Sequence, residues 1–319
     1  MTRLNLRKAI IFLTTVLAGY LQLRAAEVET IRATSDPKGN TYKSVYSIRG
    51  LPQQDFLLNQ NYLHSEVIAI KFRGTRGYLI LPKSPVDSKR RWVWISPLWV
   101  AFKSPTWGDS YLRYYTEMAL NAGLHVAGVD VGTTCGSIKG AQLYEEFYKW
   151  IVKRYQLNPK VRLIGQSNGG LIAYAWAFRH PEQVEKIFGI YPATDLRTWP
   201  GLHKLAGSLL VPQPPDQTPG RITPEGLAFP YDSREKLERN LLKINPIENL
   251  APLARAGIEI LHIHGDQDKL VPMEDNSVEL VQRYRALGGS ARLDVMKGLG
   301  HGGVEFFHYR PAADFLVAK

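Results

Sequence analysis

The chain has 319 residues, 45% hydrophobic and 22% charged, which excludes an intrinsically disordered protein and suits one α/β domain enlarged by insertions. The formal net charge of +11 comes from scattered basic residues with short clusters such as Lys89-Arg90-Arg91. No nucleic-acid-binding motif accompanies them, which excludes nucleic acid as a partner and leaves weak attraction for acidic substrates or anionic surfaces. The single cysteine, Cys135, permits no intrachain disulfide and no cysteine-ligated zinc site.

At the N-terminus, Arg3, Arg7 and Lys8 precede an apolar stretch, 9–23, interrupted by Thr14, Thr15 and Gly19. That stretch is too short for a comfortable membrane span. It reads as a signal peptide over 1–26, with an uncleaved anchor as the alternative. The expectation is export to a periplasm or to the medium, with no stable membrane span in the mature form. Residues 27–64 show no sustained period and contain the turn-rich Ser35-Asp36-Pro37-Lys38-Gly39-Asn40, which predicts an irregular arm.

Strands are then expected at 67–72, 77–81 and 92–95, the first two forming a hairpin that turns through 74–77. From there strands and helices alternate: helix 109–122, strand 125–131, helix 141–155, strand 161–164, helix 168–178 and strand 186–191. A β-branched run at 258–265 predicts a buried strand, followed by helix 274–287, strand 291–296 and a last helix, 304–317, broken near Pro311. This alternation predicts an α/β fold with a mostly parallel central sheet flanked by helices, its chemistry at the C-terminal ends of the strands. Residues 65–319 are read as one domain. The pattern breaks between 194 and 245, where the proline-rich run 211–220 excludes regular structure. That segment is expected to be a small cap-like insertion over the pocket, with a plain surface loop as the alternative.

Three segments carry chemistry. Gly165-Gln166-Ser167-Asn168-Gly169 follows the predicted strand and opens the helix at 168. This is the pattern of a turn that holds a serine clear of its own backbone, with glycines where the turn leaves little room for side chains. The Asn168 N–H and the positive end of the helix would face the oxyanion formed when Ser167 attacks a carbonyl. Downstream, strand 258–265 runs into Asp266-Gln267-Asp268, and strand 291–296 runs into Gly298-Leu299-Gly300-His301. In this order His301 is the candidate base, and Asp268 the group that orients it, with Asp266 as the rival acid two residues away.

The chain resembles the α/β-hydrolases. Within them, Asn245-Pro246-Ile247 followed by a strand and His264-Gly265-x-x-Asp268-x-x-Val271-Pro272 is similar to the dienelactone-hydrolase, acetyl-esterase and prolyl-oligopeptidase-like branch. The resemblance covers roughly residue 65 to the C-terminus. It implies a catalytic Ser167, Asp268 and His301 and no metal or organic cofactor. Many relatives carry His-Gly after the third strand to supply a second oxyanion donor. Here Ser96-Pro97-Leu98-Trp99 stands there, and because Pro97 has no N–H the expected second donor is Leu98, with Trp99 as the alternative.

Trp99, Trp107 and Tyr191 fall at or beyond predicted strand ends, where an aromatic face could flank substrate, although core packing accounts for them equally well. His262 and His264 are expected on opposite faces of their strand, serving packing or hydrogen bonding, since no third ligand follows at a metal-binding spacing. The loop 131–137 lacks the Lys-Ser/Thr ending of a phosphate cradle and is read as lining the site's mouth. The reading that follows is an exported serine hydrolase acting on small-molecule or carbohydrate esters. The alternatives are a prolyl-oligopeptidase-like peptidase and a non-catalytic binding protein on the same scaffold. The residues before 65 are too few for the propeller domain usual in such peptidases.

Overall fold

The computed structural model describes residues 65–319 except 74, 83–84, 97–111, 133 and 203–233, together with three strands nearer the N-terminus. Those strands are β1 (Val28–Ala33), β2 (Tyr42–Tyr46) and β3 (Gln54–Leu58). They correct the expectation of an irregular arm, since β1 pairs antiparallel with β4 (Val67–Phe72) and β2 with β3. Strands of five or six residues are too short for a period to stand out, and β1 is defined by the edge it pairs with. The leader 1–26 lies outside the described residues.

β5 (Thr75–Ile80) starts directly after the turn, with Thr75 opposite Phe72. Residues 75–77, expected in the turn, are therefore strand, and Arg73 takes up the reversal at φ 45°. Next come β6 (Trp92–Ser96), α1 (Arg113–Asn121), β7 (His125–Val129) and α2 (Ile138–Tyr155). Residues 109–111 of the helix expected at 109–122 lie outside the described residues. α2 begins three residues earlier than its apolar period suggested because Ser137 caps it, its hydroxyl accepting from the Gly140 N–H at 3.0 Å. The chain continues through β8 (Val161–Gln166), α3 (Asn168–Ala177), β9 (Val184–Ile190), α4 (Arg234–Ile244) and α5 (Ala251–Arg255). β10 (Glu259–Gly265), α6 (Glu279–Ala286), β11 (Ala291–Met296) and α7 (Arg310–Val317) complete it. Pro311 does not break the last helix but sits in its first turn, where its missing N–H costs nothing. The break comes earlier, after the 3₁₀ turn Val304–Phe307.

The sheet runs β1-β4-β5-β7-β6-β8-β9-β10-β11. The first three pairings, through β5 with β7, are antiparallel and the rest parallel. This is the expected mostly parallel α/β architecture. β6 and β8 are buried on both faces, as central parallel strands must be. On one face Trp92 and Trp94 pack against Tyr144, Phe147, Tyr148 and Trp176, with the Trp94 and Tyr144 rings stacked 3.8 Å apart. On the other, Tyr115 of α1, Phe306 of the turn before α7 and Leu316 of α7 pack with Phe188 of the sheet. α3 is buried from Gly169 to Ala177, so it serves as the central core helix and holds the start of the Ser167 turn rigidly.

The two roots of the 194–245 insertion meet at Asn245. Its Oδ1 accepts from the Leu196 N–H at 3.0 Å, and its Nδ2 donates to Asp195 at 2.9 Å. The proline-rich run 211–220 lies outside the described residues.

Candidate active site

Ser167 stands between β8 and α3 at φ 51°, ψ −123°, a conformation a side chain adopts only when its surroundings enforce it. Two bonds do so: Ser167 N–H donates to Ile190 O, and Ser167 O accepts from Ala193 N–H. Glycines make the turn possible by contact. A Cβ on Gly165 would lie 3.1 Å from Gly169 O, and one on Gly170 would lie 2.6 Å from Ala193 O. Asn168 opens α3, so its N–H is one of the helix's first donors, which have no acceptor within the helix.

Ser167 and two side chains more than a hundred positions beyond it, Asp268 and His301, form one hydrogen-bonded line. Ser167 Oγ is 2.8 Å from His301 Nε2, and His301 Nδ1 is 2.7 Å from Asp268 Oδ2. Asp268 is buried beneath the partly exposed imidazole. Its Oδ1 accepts from the N–H groups of Leu270 and Val271, both at 2.9 Å, and its Oδ2 is shared by His301 and His264. Burial alone would raise this carboxyl, but the hydrogen bonds from His264, His301 and Val271 outweigh it and hold the group far below the ordinary carboxylate range. An ionised Asp268 fixes a proton on His301 Nδ1. That leaves Nε2 free to take the Ser167 proton.

Asp266, the rival acid, does different work. Its Oδ1 accepts from Gly298 N–H at 2.7 Å and Oδ2 pairs with Lys297 at 3.2 Å, which ties down the loop that carries His301. Gly265 lets that loop close on β10, since a Cβ there would lie 2.2 Å from Leu299 O.

Tyr191 also takes a left-handed backbone, φ 34°. Its buried ring lies 4.4 Å from the His301 ring, centroid to centroid, and packs edge-on against Phe306. Its hydroxyl accepts from Gln166 Nε2 at 2.5 Å. Tyr191, expected to flank substrate or pack in the core, thus supports the imidazole from below. Leu98, Trp99 and Trp107 lie outside the described residues; β6 ends at Ser96, in register with Gly165, one strand from the Ser167 turn.

The histidine pair requires a correction. His262 and His264 do not face opposite sides. Residues two apart on a strand share a face, and both Nδ1 atoms reach the same Ser277 hydroxyl, at 2.9 and 2.8 Å. The loop 131–137 is packed rather than open where it is described, with Thr134, Cys135 and Ser137 buried. Among the described residues no cluster of His, Cys, Asp or Glu could hold a metal ion, and no helix is long and apolar enough to cross a membrane.

The fold is that of the α/β-hydrolases, with a serine at the turn between β8 and α3, an aspartate beyond the end of β10 and a histidine beyond the end of β11. No family model matches the sequence, and no curated protein matches it. Solved structures do. A truncated carbohydrate esterase from gut microbiota shares 15% identity at a TM-score of 0.52, over 89% of this chain and 98% of that one. The Porphyromonas gingivalis dipeptidyl peptidase 4 shares 12% at 0.53, over 87% of this chain and 35% of its own. A puromycin hydrolase shares 14% at 0.52, over 87% and 39%. The chain therefore spans little more than a third of the two peptide- and puromycin-cleaving structures. Both an esterase and peptidases share the fold, which fits the prolyl-oligopeptidase-like resemblance of the motifs.

Proposed function

We propose that the protein is an exported serine hydrolase that cleaves carboxylic esters through an acyl-enzyme on Ser167. The observation that carries this reading is the line Ser167 Oγ, His301 Nε2 and Nδ1, Asp268 Oδ2, with links of 2.8 and 2.7 Å. In the first half-reaction Ser167 attacks the ester carbonyl, His301 takes its proton and the oxyanion faces the Asn168 N–H. His301 then returns the proton to the departing alcohol. In the second half-reaction a water molecule, deprotonated by His301, attacks the acyl-enzyme, the bond to Ser167 Oγ breaks as His301 returns the proton to that oxygen, and the acid leaves.

The ester assignment, with acylated carbohydrates as the substrate class, is supported by the likeness to a carbohydrate esterase along nearly that protein's whole length. Peptide-bond cleavage is the second reading, favoured by the likeness to dipeptidyl peptidase 4. The test is a substrate panel of acetyl, longer-acyl and feruloyl esters beside matched peptidyl amides, each assayed with wild type and Ser167→Ala. Ester turnover that exceeds amide turnover and disappears in Ser167→Ala is the expected result. A preference for amides would move the assignment to a peptidase, and equal turnover by the variant would end both readings.

A further inference from the structure

Beyond Asp268 the polar line does not stop. His264 Nε2 lies 3.2 Å from Asp268 Oδ2 and 2.9 Å from Val271 O, and His264 Nδ1 lies 2.8 Å from Ser277 Oγ. The same hydroxyl is 2.9 Å from His262 Nδ1, and His262 Nε2 is 2.8 Å from the Tyr174 hydroxyl. Tyr174, His262, Ser277 and His264 are all buried, from 0 to 1% exposed, so water cannot supply missing partners.

Proton counting gives this line a direction. His264 Nε2 faces two oxygens, a carboxylate and a carbonyl, that can only accept, so it carries a proton. A singly protonated His264 then accepts at Nδ1, and the donor is the Ser277 hydroxyl. Having spent its one proton, Ser277 accepts from His262 Nδ1–H, which leaves His262 Nε2 to accept from Tyr174 O–H. In this scheme each of these hydrogen bonds has one proton and none is orphaned. Run the other way, the line needs a doubly protonated His264 and leaves the Tyr174 proton with no acceptor along it. Burial pushes His262 down to about 3, consistent with a ring that holds one proton.

We propose that Tyr174, His262, Ser277 and His264 form a one-way hydrogen-bond chain, Tyr174 to His262 to Ser277 to His264, that fixes the Asp268 carboxylate in line with His301. These are positioning residues for the reaction at Ser167, and the inference rests on the serine-hydrolase reading. The fold builds the chain deliberately. β10 presents both imidazoles on one face, α3 brings Tyr174, and the π-type turn Glu274–Val278 buries two successive side chains, Asn276 and Ser277. A turn one residue wider than an α-helical turn lets Asn276 hold Thr194 and Asp195 through its Oδ1 while Ser277 reaches the histidines.

The test has a structural arm and a kinetic arm. Nitrogen NMR of the ¹⁵N-histidine-labelled protein, assigned through His262→Gln and His264→Gln, reads the tautomers directly. The expected result is opposite tautomers, with Nε2–H on His264 and Nδ1–H on His262. A shared tautomer, or a doubly protonated His264 at neutral pH, would overturn the chain. In the kinetic arm, Ser277→Ala should lower kcat about tenfold with KM within about twofold, Ser277→Thr should recover most of it, and Tyr174→Phe should cost less because it sits farthest from Asp268. Wild-type kcat in Ser277→Ala, or a loss in KM alone, would overturn the positioning role. If the wild type itself neither cleaves esters nor takes up a fluorophosphonate, the hydrolase reading fails instead, and the tautomers still decide the chain.

Discussion

Two pairs of residues on the same face of the sheet show how differently burial can be used. Trp94 is in register with Leu163, Ile187 and, across β9, Ile260, so Trp92 and Trp94 on β6 share a face with His262 and His264 on β10. All four are fully buried. The tryptophans meet rings and fix the middle of the sheet by dispersion and area. The histidines meet two hydroxyls, a carbonyl and a carboxylate, and tie the middle of the sheet to its reactive edge. Stability should therefore concentrate at β6 and catalysis at β10.

The comparison can be broken at its strongest point first. Asp268→Asn should lower kcat by on the order of 10⁴, the size known from serine proteases, while circular dichroism stays native. A loss under tenfold would mean that the carboxylate is not what orients His301. On the other side, Trp94→Ala should cost about 3–5 kcal/mol in urea unfolding and leave kcat per folded molecule within about twofold. A large fall in kcat without a fall in stability would erase the contrast between the two strands.

Acid sharpens it further. Burial pushes His262 down to about 3, and burial, with the charge of Arg90, pushes His125 down to about 4. An unfolded histidine titrates near ~6.5, so below that pH the unfolded chain binds protons the folded chain refuses. Stability is fully present above ~6.5 and is lost as pH falls towards the folded values, at up to about 1.4 kcal/mol per pH unit for each histidine. Urea midpoints measured from pH 7 to 4.5 should follow that slope, and His262→Gln should flatten it. A midpoint that does not change over this range would contradict the burial of these rings. The smallest effect is expected at Asp266→Asn, which loosens the His301 loop and should cost kcat within about threefold. A loss rivalling that of Asp268→Asn would reverse the assignment of the acid.

Much of this was legible in the chain. The motif around Ser167, the Asp268 segment and His301 were readable because each pairs an apolar strand run with a turn of fixed chemistry, and the alternation of periods predicted the mostly parallel sheet. What the sequence hid depends on contacts between distant positions. β1 is recognisable only beside β4, and the support from Tyr191 exists only because a strained backbone turns its ring under His301. The histidine pair was misread through its spacing. Two residues apart means one face, and a Ser277 thirteen positions beyond His264 gave no local sign that it would bridge them.

The central claim is that Ser167 is the nucleophile. Its most direct measurement is labelling of the folded protein with a fluorophosphonate, followed by peptide mass spectrometry of the adduct. A single adduct on the peptide carrying Gly165-Gln166-Ser167-Asn168-Gly169, lost in Ser167→Ala and suppressed in Asp268→Asn, is the predicted result. An adduct on another residue, or none on protein that is shown to be folded, would contradict it.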